Sequence, residues 1–386
     1  MPDNRAQTPG RYDSLQLIPW WQQANVAKAR IMVVGAGALG NEILKNLALL
    51  GIGHIFIIDF DDIEASNLTR SVLFREGDIG CHKAETAAGR LKDINPDIKV
   101  AFMHGNTCTD IGLGLVKHMD VVIAAVDNFA ARIFINRACF KVGTPWINGG
   151  IIELMGEAHA YIPGRGACYE CNLPPDAYRD IKRRFSCRMP QEEMEAGHVP
   201  TTPTIASIIG AVQVQEALKI LHRRKVEGGS GLVFNGMNNR FMEVQFTLNP
   251  ACYVHDPLKA VRRLNRSVAD TSFRDLLDIA GKESGTDITV ELDFNIVTCL
   301  SCSCGYSDGH VKRFDRLSNA DLTCPRCQKM LRTDITSIVD RSSISLLDCT
   351  LGEAGVPPWH IVTVKQDTEK TSYEFCADKK RVLNYI

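Results

Sequence analysis

The chain has 386 residues, of which 45% are hydrophobic and 23% are charged, a composition typical of a folded globular protein. This length predicts two or three domains, each large enough to bury a hydrophobic core. The 44 lysine and arginine residues nearly balance the 45 aspartate and glutamate residues, so no overall charge favours nucleic acid or an anionic membrane as a partner.

The N-terminal segment from Met1 to Pro9 is polar and lacks the apolar core of a signal peptide. No uninterrupted run reaches the ~18 apolar residues of a membrane span. We therefore expect a cytoplasmic protein that does not associate with membranes. The fourteen cysteines include several closely spaced pairs separated by long intervals. In a reducing compartment such pairs indicate metal binding more than disulfide bonds, and zinc is the first expectation.

Short apolar strands and amphipathic helices alternate through the first 145 residues. The predicted elements, in chain order, are a strand at 30–35, a helix at 38–50, a strand at 54–58, a helix at 83–91, strands at 98–103 and 120–125, and a helix at 128–142. Such alternation predicts an α/β fold with a Rossmann-like parallel sheet and helices on both of its faces.

Beyond Pro145 the pattern changes. We predict a strand at 156–162, an irregular crossover at 163–203, an apolar helix at 205–221 and a pair of strands within 232–248. An irregular connection as long as this crossover is usually functional. Composition changes again near Arg263, which predicts two domains, one spanning residues 1–260 and a smaller α+β domain spanning 263–386.

The glycines Gly35, Gly37 and Gly40 form a G-x-G-x-x-G motif directly after a predicted strand and before a predicted helix. Backbone N–H groups at such a helix N-terminus can bind a phosphate closely. Asp59 ends the second predicted strand, where an acidic side chain binds the hydroxyls of a ribose. These features fit ATP and NAD equally well, so a NAD-dependent oxidoreductase is one alternative.

Four further residues favour ATP. Asn67, Arg70 and Lys83 supply donors that a triphosphate requires and that an NAD enzyme has no evident use for. Asp127 follows a parallel strand and is suited to holding Mg²⁺. Together these residues predict nucleotidyl transfer from ATP.

Three segments, DFDDIEASNLTRSVLF from Asp59, GCHKAE around Lys83 and VDN around Asp127, resemble the E1-like adenylating family of ThiF and MoeB, which includes ubiquitin-activating enzymes. The resemblance covers about residues 11–255. It implies that the chain adenylates the C-terminal carboxylate of a ubiquitin-like or sulfur-carrier protein, and that it forms a homodimer. It also implies that Asp59 binds ribose, that Asn67, Arg70 and Lys83 bind phosphates, and that Asp127 binds magnesium.

The N-terminus departs from the family pattern. Family members often begin with R-Y-x-R-Q, in which the second arginine reaches the phosphates of the partner subunit. Here the corresponding run begins at Arg11 and has Ser14 in place of that arginine. Arg11 or Arg5 is a candidate replacement, and the alternative is that the contact is absent.

Cys187 is the predicted nucleophile. A thiolate can capture the activated acyl group as a thioester, and the flanking Arg183, Arg184 and Arg188 favour the thiolate form. The resemblance likewise implies a catalytic cysteine in this crossover and transfer from it to an E2-like conjugating partner. The alternatives are that Cys187 is an unreactive loop thiol or that the chain supports persulfide chemistry on a sulfur carrier.

Other cysteines have simpler interpretations. Cys81, Cys108 and Cys139 lie in or beside predicted packed elements and are expected to be small buried side chains, although Cys81 neighbours Lys83.

Two groups have the spacing of zinc ligands. The first comprises Cys168, Cys171, Cys252 and His255.

The second group predicts a zinc ribbon in the C-terminal domain. Cys324 and Cys327 form one C-x-x-C pair, and Cys299, Cys302 and Cys304 offer three candidates for the other two positions. We favour Cys302 with Cys304 because Gly305 follows them, but Cys299 with Cys302 fits nearly as well. The mixed local charge favours docking of a protein over binding of nucleic acid.

Overall fold

A computed structural model describes residues 10–174, 200–281, 288–309 and 311–383. Its larger sheet contains the strands β1 (Arg30–Val34), β2 (His54–Asp59), β3 (Lys99–His104), β4 (Val121–Ala124), β5 (Trp146–Ile152), β6 (Met155–Tyr161), β7 (Ser230–Asn235) and β8 (Arg240–Gln245). Their order is β3-β2-β1-β4-β5-β6-β7-β8. The strands from β3 to β5 are parallel, and β6, β7 and β8 extend the sheet as antiparallel strands.

Helices cover both faces of this sheet. Those described are α1 (Asp13–Gln16), α2 (Gln23–Lys28), α3 (Ala38–Leu50), α4 (Lys83–Ile94), α5 (Thr107–Asp110), α6 (Leu113–His118), α7 (Phe129–Val142) and α8 (Pro203–Leu221). Buried side chains of α3, α4 and α8 share one apolar core with one face of the sheet, and those of α6 and α7 share a second core with the other face. The predicted Rossmann-like architecture is therefore confirmed.

Among the helices and strands of this part, those not predicted from the sequence are the short helices α1, α2, α5 and α6 and the strand β5. The short helix α6 carries one glycine and two leucines, and its position depends on a distant segment, since the Gly114 N–H donates to the Trp359 carbonyl at 2.9 Å. Strand β5 contains a Gly149-Gly150 pair that weakens the strand pattern, and the neighbouring strands β4 and β6 hold it in place.

Helix α8 is long and apolar enough, by length and composition alone, to cross a membrane. In this fold it packs against α3 and the β5–β6 strands. Its side chains at Ile205, Ile209, Val214 and Leu218 are buried in the core. A helix that is apolar on most of its surface is expected wherever it is covered on several sides, and we interpret α8 as such a core helix.

A second sheet lies in the C-terminal part of the chain. Its strands are β9 (Val261–Leu264), β10 (Ile288–Ser301), β11 (Ser307–Asp308), β12 (Lys312–Arg313), β13 (Arg332–Val339), β14 (Ile361–Gln366) and β15 (Glu369–Phe375). The accompanying helices are α9 (Phe273–Gly281), α10 (Ile344–Leu347) and α11 (Lys379–Val382). All the pairings are antiparallel except that of β9 with β15. The C-terminal part thus combines strands and helices around its own core.

The buried Arg313 joins the two parts of the chain. Its guanidinium donates to the carbonyl of Cys108 at 3.0 Å and to that of Thr109 at 3.3 Å, and it forms an ion pair with Asp315 at 2.6 Å. It also lies 3.8 Å from the centre of the Phe294 ring. Because one cation serves acceptors from both parts, Arg313 fixes the C-terminal sheet against helix α5.

Candidate active site

The site lies where the order of the parallel strands reverses. Strand β1 pairs with β2 on one side and with β4 on the other, and in open α/β sheets ligands bind at the carboxyl ends of the strands at such a point. Gly35 follows β1, and its N–H donates to the Ile58 carbonyl at 2.9 Å. Ala125 follows β4, and its N–H donates to the Val34 carbonyl at 2.8 Å. The first residues after both strands are therefore held at the edges of one crevice.

The glycine motif shapes this crevice through close backbone contacts. Gly35 has a φ of +93°, and a Cβ atom there would lie 2.5 Å from the Ala125 carbonyl oxygen. A Cβ atom on Gly40 would collide with the Gly35 carbonyl. Gly37 differs, because a Cβ atom there would project into open space directly before helix α3. That space, beside the N-terminus of a helix, suits a phosphate group.

Asp59 ties the glycine loop to strand β2. One carboxylate oxygen accepts the Ala36 N–H at 2.6 Å, and the other accepts the Asp61 N–H at 2.8 Å. Burial raises the pKa of Asp59, whereas these hydrogen bonds and the charge of Lys83 oppose that rise. Its predicted contact with ribose stays a prediction, and its contacts with the chain position the loop.

Lys83 begins helix α4, and only 10% of its side chain is exposed. Its ammonium group donates to the Asp61 carboxylate at 2.7 Å, and its backbone N–H donates to the Asp61 carbonyl at 3.1 Å. Asp61 is about half exposed, so solvent weakens its hold on the lysine. A cation positioned in this way, beside Asp59, can turn toward a triphosphate bound in the crevice.

Asn67 and Arg70 lie together on the segment after β2. The Asn67 amide oxygen accepts the Glu64 N–H at 3.0 Å and closes a short 3-10 turn. The half-buried Arg70 donates to the Ser66 carbonyl at 3.2 Å, and its backbone N–H donates to the Asn67 carbonyl at 3.0 Å. Among the described residues the Arg70 guanidinium has this one hydrogen-bond acceptor, whereas Asn67 serves the turn.

Asp127 is exposed and follows β4 by three residues. The next residue, Asn128, caps helix α7 by accepting the Ala131 N–H at 2.8 Å. The carboxylate of Asp127 therefore lies between a strand end and a helix start at the same edge of the sheet as Gly35. This is the position that a magnesium ligand would need, and the role itself stays a prediction.

The sequence pattern did not predict the role of Asn41. It is fully buried in α3, its amide group donates to the carbonyls of Ala36 and Gly37 at 2.6 and 3.0 Å, and its amide oxygen accepts the Leu73 N–H at 2.9 Å. It thereby joins the glycine loop to the segment that carries Arg70. The available signal was a polar residue directly after Gly40, on the otherwise apolar face of a helix.

We expect Asn41→Ala to lower the free energy of unfolding by about 2–3 kcal/mol, because it leaves the buried Leu73 N–H without its acceptor. Urea denaturation followed by circular dichroism measures this change. The matched control is Asn25→Ala at an exposed position, for which we expect a change within about 0.5 kcal/mol. Equal effects of the two substitutions would contradict the assigned role of Asn41.

Several predicted residues lie elsewhere. Ser14 is in helix α1, and the neighbouring Arg11 donates to the Ile94 carbonyl at 2.9 Å, so its contact is with its own chain. Arg5 and Cys187 lie outside the described residues. Burial raises the pKa of Cys108 to about 12 and that of Cys139 well above its ordinary value, which keeps both thiols protonated. Cys81 is exposed, so the prediction that it is a buried side chain is wrong.

The first group of zinc-ligand residues converges in the fold. The Cys168 and Cys252 sulfur atoms are 3.7 Å apart, Cys171 Sγ is 3.6 Å from Cys168 Sγ, and it is 3.1 Å from Nε2 of His255. All four donor atoms lie within 4.8 Å of one another. Three soft thiolates and one imidazole fit a closed tetrahedral zinc site.

The second group converges in the C-terminal sheet. The Cys302 and Cys327 sulfur atoms are 3.4 Å apart, and those of Cys304 and Cys324 are 3.6 Å apart. Cys299 lies outside this group, because it is paired within strand β10 and contacts the Ser307 hydroxyl at 3.4 Å. Four thiolates also fit tetrahedral zinc, so either group could hold a metal ion.

The ThiF family model matches residues 11–254, which is well over half of the chain. The chain belongs to the ThiF family. The matched region includes the glycine loop, Asp59, Asn67, Arg70, Lys83, Asp127 and all but one member of the first group of zinc-ligand residues. The second sheet lies beyond the matched region.

Two relatives and one solved structure illustrate the relationship of this ThiF-family chain to known proteins. The SAMP-activating enzyme E1 of Haloferax volcanii is 32% identical over 239 residues, which is 60% of this chain and 82% of that protein. Adenylyltransferase and sulfurtransferase MOCS3 of Culex quinquefasciatus is 32% identical over 227 residues, which is 58% of this chain and 49% of that protein. The crystal structure of E. coli MccB with succinimide has a TM-score of 0.53 and 25% sequence identity. The matched region covers 64% of this chain and 74% of the MccB chain.

Proposed function

We propose that this chain uses ATP to adenylate the C-terminal carboxylate of a ubiquitin-like or sulfur-carrier protein. The observation that carries the proposal is the crevice at the strand-order reversal, where open space at Gly37 faces a helix N-terminus and Lys83 lies alongside. The membership of the ThiF family and the names of the relatives, an E1 and an adenylyltransferase, support the same reaction.

The first step joins the carrier carboxylate to the α-phosphorus of ATP. The bond from that phosphorus to the oxygen bridging to the β-phosphate breaks, and pyrophosphate leaves with the electron pair. Backbone N–H groups before α3, together with Asn67, Arg70 and Lys83, would hold the phosphates, and Asp59 would hold the ribose. A magnesium ion at Asp127 would neutralise part of the phosphate charge.

The carrier-dependent exchange of pyrophosphate into ATP tests this step. We expect exchange only when a small protein with a free C-terminal carboxylate is present, since that carboxylate is the attacking group. The alternative function, a NAD-dependent oxidoreductase, would be supported instead if NADH bound and no candidate carrier promoted exchange.

In the second step we propose that the Cys187 thiolate attacks the acyl carbon of the adenylate. A carbon–sulfur bond then forms, the bond from the acyl carbon to the phosphate oxygen breaks, and AMP leaves. The thioester would pass to an E2-like partner. The alternative, formation of a thiocarboxylate on a sulfur carrier through persulfide chemistry, is favoured by the sulfurtransferase name of the MOCS3 relatives.

We expect Cys187→Ala to retain pyrophosphate exchange but to lose a thiol-sensitive carrier adduct, since the cysteine is needed only after adenylation. Mass spectrometry of the intact protein, before and after dithiothreitol, detects the adduct. The control is Cys81→Ala at an exposed thiol near Lys83, which should keep it. An adduct that persists in Cys187→Ala would exclude this nucleophile, and a carrier thiocarboxylate would favour the sulfur-transfer route.

The proposal includes three further properties. We propose that both cysteine groups hold structural zinc, that the chain forms a homodimer, and that it acts in the cytoplasm without binding nucleic acid or membranes. Sedimentation velocity measures the oligomeric state. If the chain is a monomer at every concentration that supports exchange, the homodimer is excluded, and no arginine at the position of Ser14 is required to reach a partner subunit.

A further inference from the structure

A third group of potential metal ligands lies beside the nucleotide crevice. Asp62, His82 and His104 each offer a donor atom, and these atoms all lie within 4.8 Å of one another. Nδ1 of His82 is 2.7 Å from a carboxylate oxygen of Asp62, and the centres of the two imidazole rings are 3.7 Å apart. None of the three has a role in the proposed adenylation.

The backbone holds Asp62 and His82 opposite each other. The two form an antiparallel bridge, flanked by a hydrogen bond from the Ile63 N–H to the Cys81 carbonyl at 2.9 Å and by one from the Lys83 N–H to the Asp61 carbonyl at 3.1 Å. This pattern makes Asp62 and His82 a non-hydrogen-bonded pair, the kind whose side chains approach most closely. Their proximity is therefore a property of the fold as well as of the side-chain rotamers.

His104 comes from a third segment. It ends strand β3 opposite Asp59 of β2, and the following Gly105 N–H donates to the Asp59 carbonyl at 3.1 Å. The three ligands thus come from the loop after β2, the start of α4 and the end of β3. Convergence of three separately fixed segments gives the group a defined place at the carboxyl edge of the sheet.

We propose that Asp62, His82 and His104 bind a divalent transition-metal ion of the zinc class. Two imidazoles and one carboxylate are the ligands of zinc sites that keep an open position, and they disfavour Mg²⁺, which prefers oxygen ligands. All three side chains are exposed, so an ion can enter and water can complete its coordination. A metal lies in the plane of each imidazole that binds it, so one of the two stacked rings must turn on binding.

This site is separate from both cysteine groups and from Asp127. It contains no thiolate, which distinguishes it from the cysteine groups, and its two imidazoles distinguish it from a magnesium site for ATP. His82 directly precedes Lys83, and Asp62 directly follows Asp61, the ion-pair partner of that lysine. The proposal does not depend on adenylation, because binding of the ion can be measured without ATP or carrier.

Cobalt(II) titration of the full chain tests the proposal. The chain first receives no more than two equivalents of zinc, which the thiolates of the two cysteine groups take up, and mass spectrometry establishes that two zinc ions are bound before cobalt is added. We expect one further equivalent of cobalt to bind without the charge-transfer absorption of a cobalt–thiolate bond. His104→Ala and Asp62→Asn should each weaken this binding at least about tenfold, since even outer-shell partners of a metal contribute that much.

The matched control is Asp93→Asn, which removes an exposed carboxylate from helix α4 and should leave the affinity unchanged. Thermal melting of each variant without cobalt establishes that it is folded. The proposal is overturned if the zinc-loaded wild-type chain binds no further cobalt, if the added cobalt shows thiolate absorption, or if folded His104→Ala and Asp62→Asn bind it as tightly as Asp93→Asn does.

Discussion

Lys83→Ala is expected to lower the rate of carrier-dependent ATP–pyrophosphate exchange by about 100-fold or more, the usual effect of removing one donor that stabilises transition-state charge. The ammonium group is largely buried, is positioned by Asp61 and lies beside Asp59, so no mobile surface cation can replace it. Because negative charge on the phosphates is redistributed as pyrophosphate leaves, we expect kcat to fall along with kcat/KM.

Lys92→Ala is the matched control, since Lys92 is exposed in the last turn of the same helix α4. It should leave the exchange rate within about twofold of the wild-type rate, as expected for a surface charge distant from the site. A Lys83→Ala enzyme with full kcat and only a raised KM for ATP would mean that the lysine binds substrate and transition state equally. An unchanged exchange rate would show that Lys83 does not bind the phosphates of ATP.

The first half of the fold was predictable because its signals are local. The buried strand, the glycine turn and the helix Ala38–Leu50 follow one another within about twenty residues, and hydrophobic periodicity determines each of them. The location of Asp59 and Asp127 at one edge of the sheet was predictable for a related reason, since residues at the ends of neighbouring parallel strands meet there. Their roles, like those of Asn67, Arg70 and Lys83, stay predictions.

The contacts that hold the site were not predictable, because their partners are far apart in the sequence. Asn41 accepts a hydrogen bond from Leu73, and Lys83 pairs with Asp61, and neither pairing leaves a pattern in a single sequence. Asn41 in particular contradicts the rule that a polar residue in an apolar helix faces solvent. Here the asparagine is buried because its amide group donates hydrogen bonds to two carbonyls of the glycine loop.

The strand pairing of the C-terminal sheet could not be predicted from the spacing of residues in the sequence. Strand β9 pairs in parallel with β15 across more than a hundred residues, and such a pairing has no local signature. The choice among Cys299, Cys302 and Cys304 depended on the strand that contains Cys299, because pairing of that residue with Asp334 keeps it in β10, away from the turn that brings Cys302 and Cys304 together.

Cys171→Ala is expected to reduce the zinc content from two ions per chain to one and to lower the free energy of unfolding by about 4 kcal/mol, beyond the range of an ordinary substitution. The Cys171 sulfur lies near both Cys168 and His255, so its loss opens the proposed tetrahedral site. The segment around Cys168 then loses its link through the metal to the segment around Cys252. Contacts of Glu170 remain, among them the ion pair with Arg137 at 2.8 Å and the hydrogen bond from the Tyr253 hydroxyl at 3.0 Å.

Zinc analysis and thermal melting with and without a chelator measure both effects. Every chain carries Asp62→Asn in addition, so that the exposed group of Asp62, His82 and His104 adds no ion to the count. Cys299→Ser is the matched control, because it removes a thiol that lies outside both groups and should keep two zinc ions and the wild-type melting temperature. Cys304→Ala should instead lose the other ion, so the two losses can be assigned separately. A Cys171→Ala chain that retains two zinc ions would contradict the first site. Loss of one zinc ion without loss of stability would mean that this ion does not stabilise the fold, because a metal adds to the free energy of unfolding only when it binds the folded chain more tightly than the unfolded one.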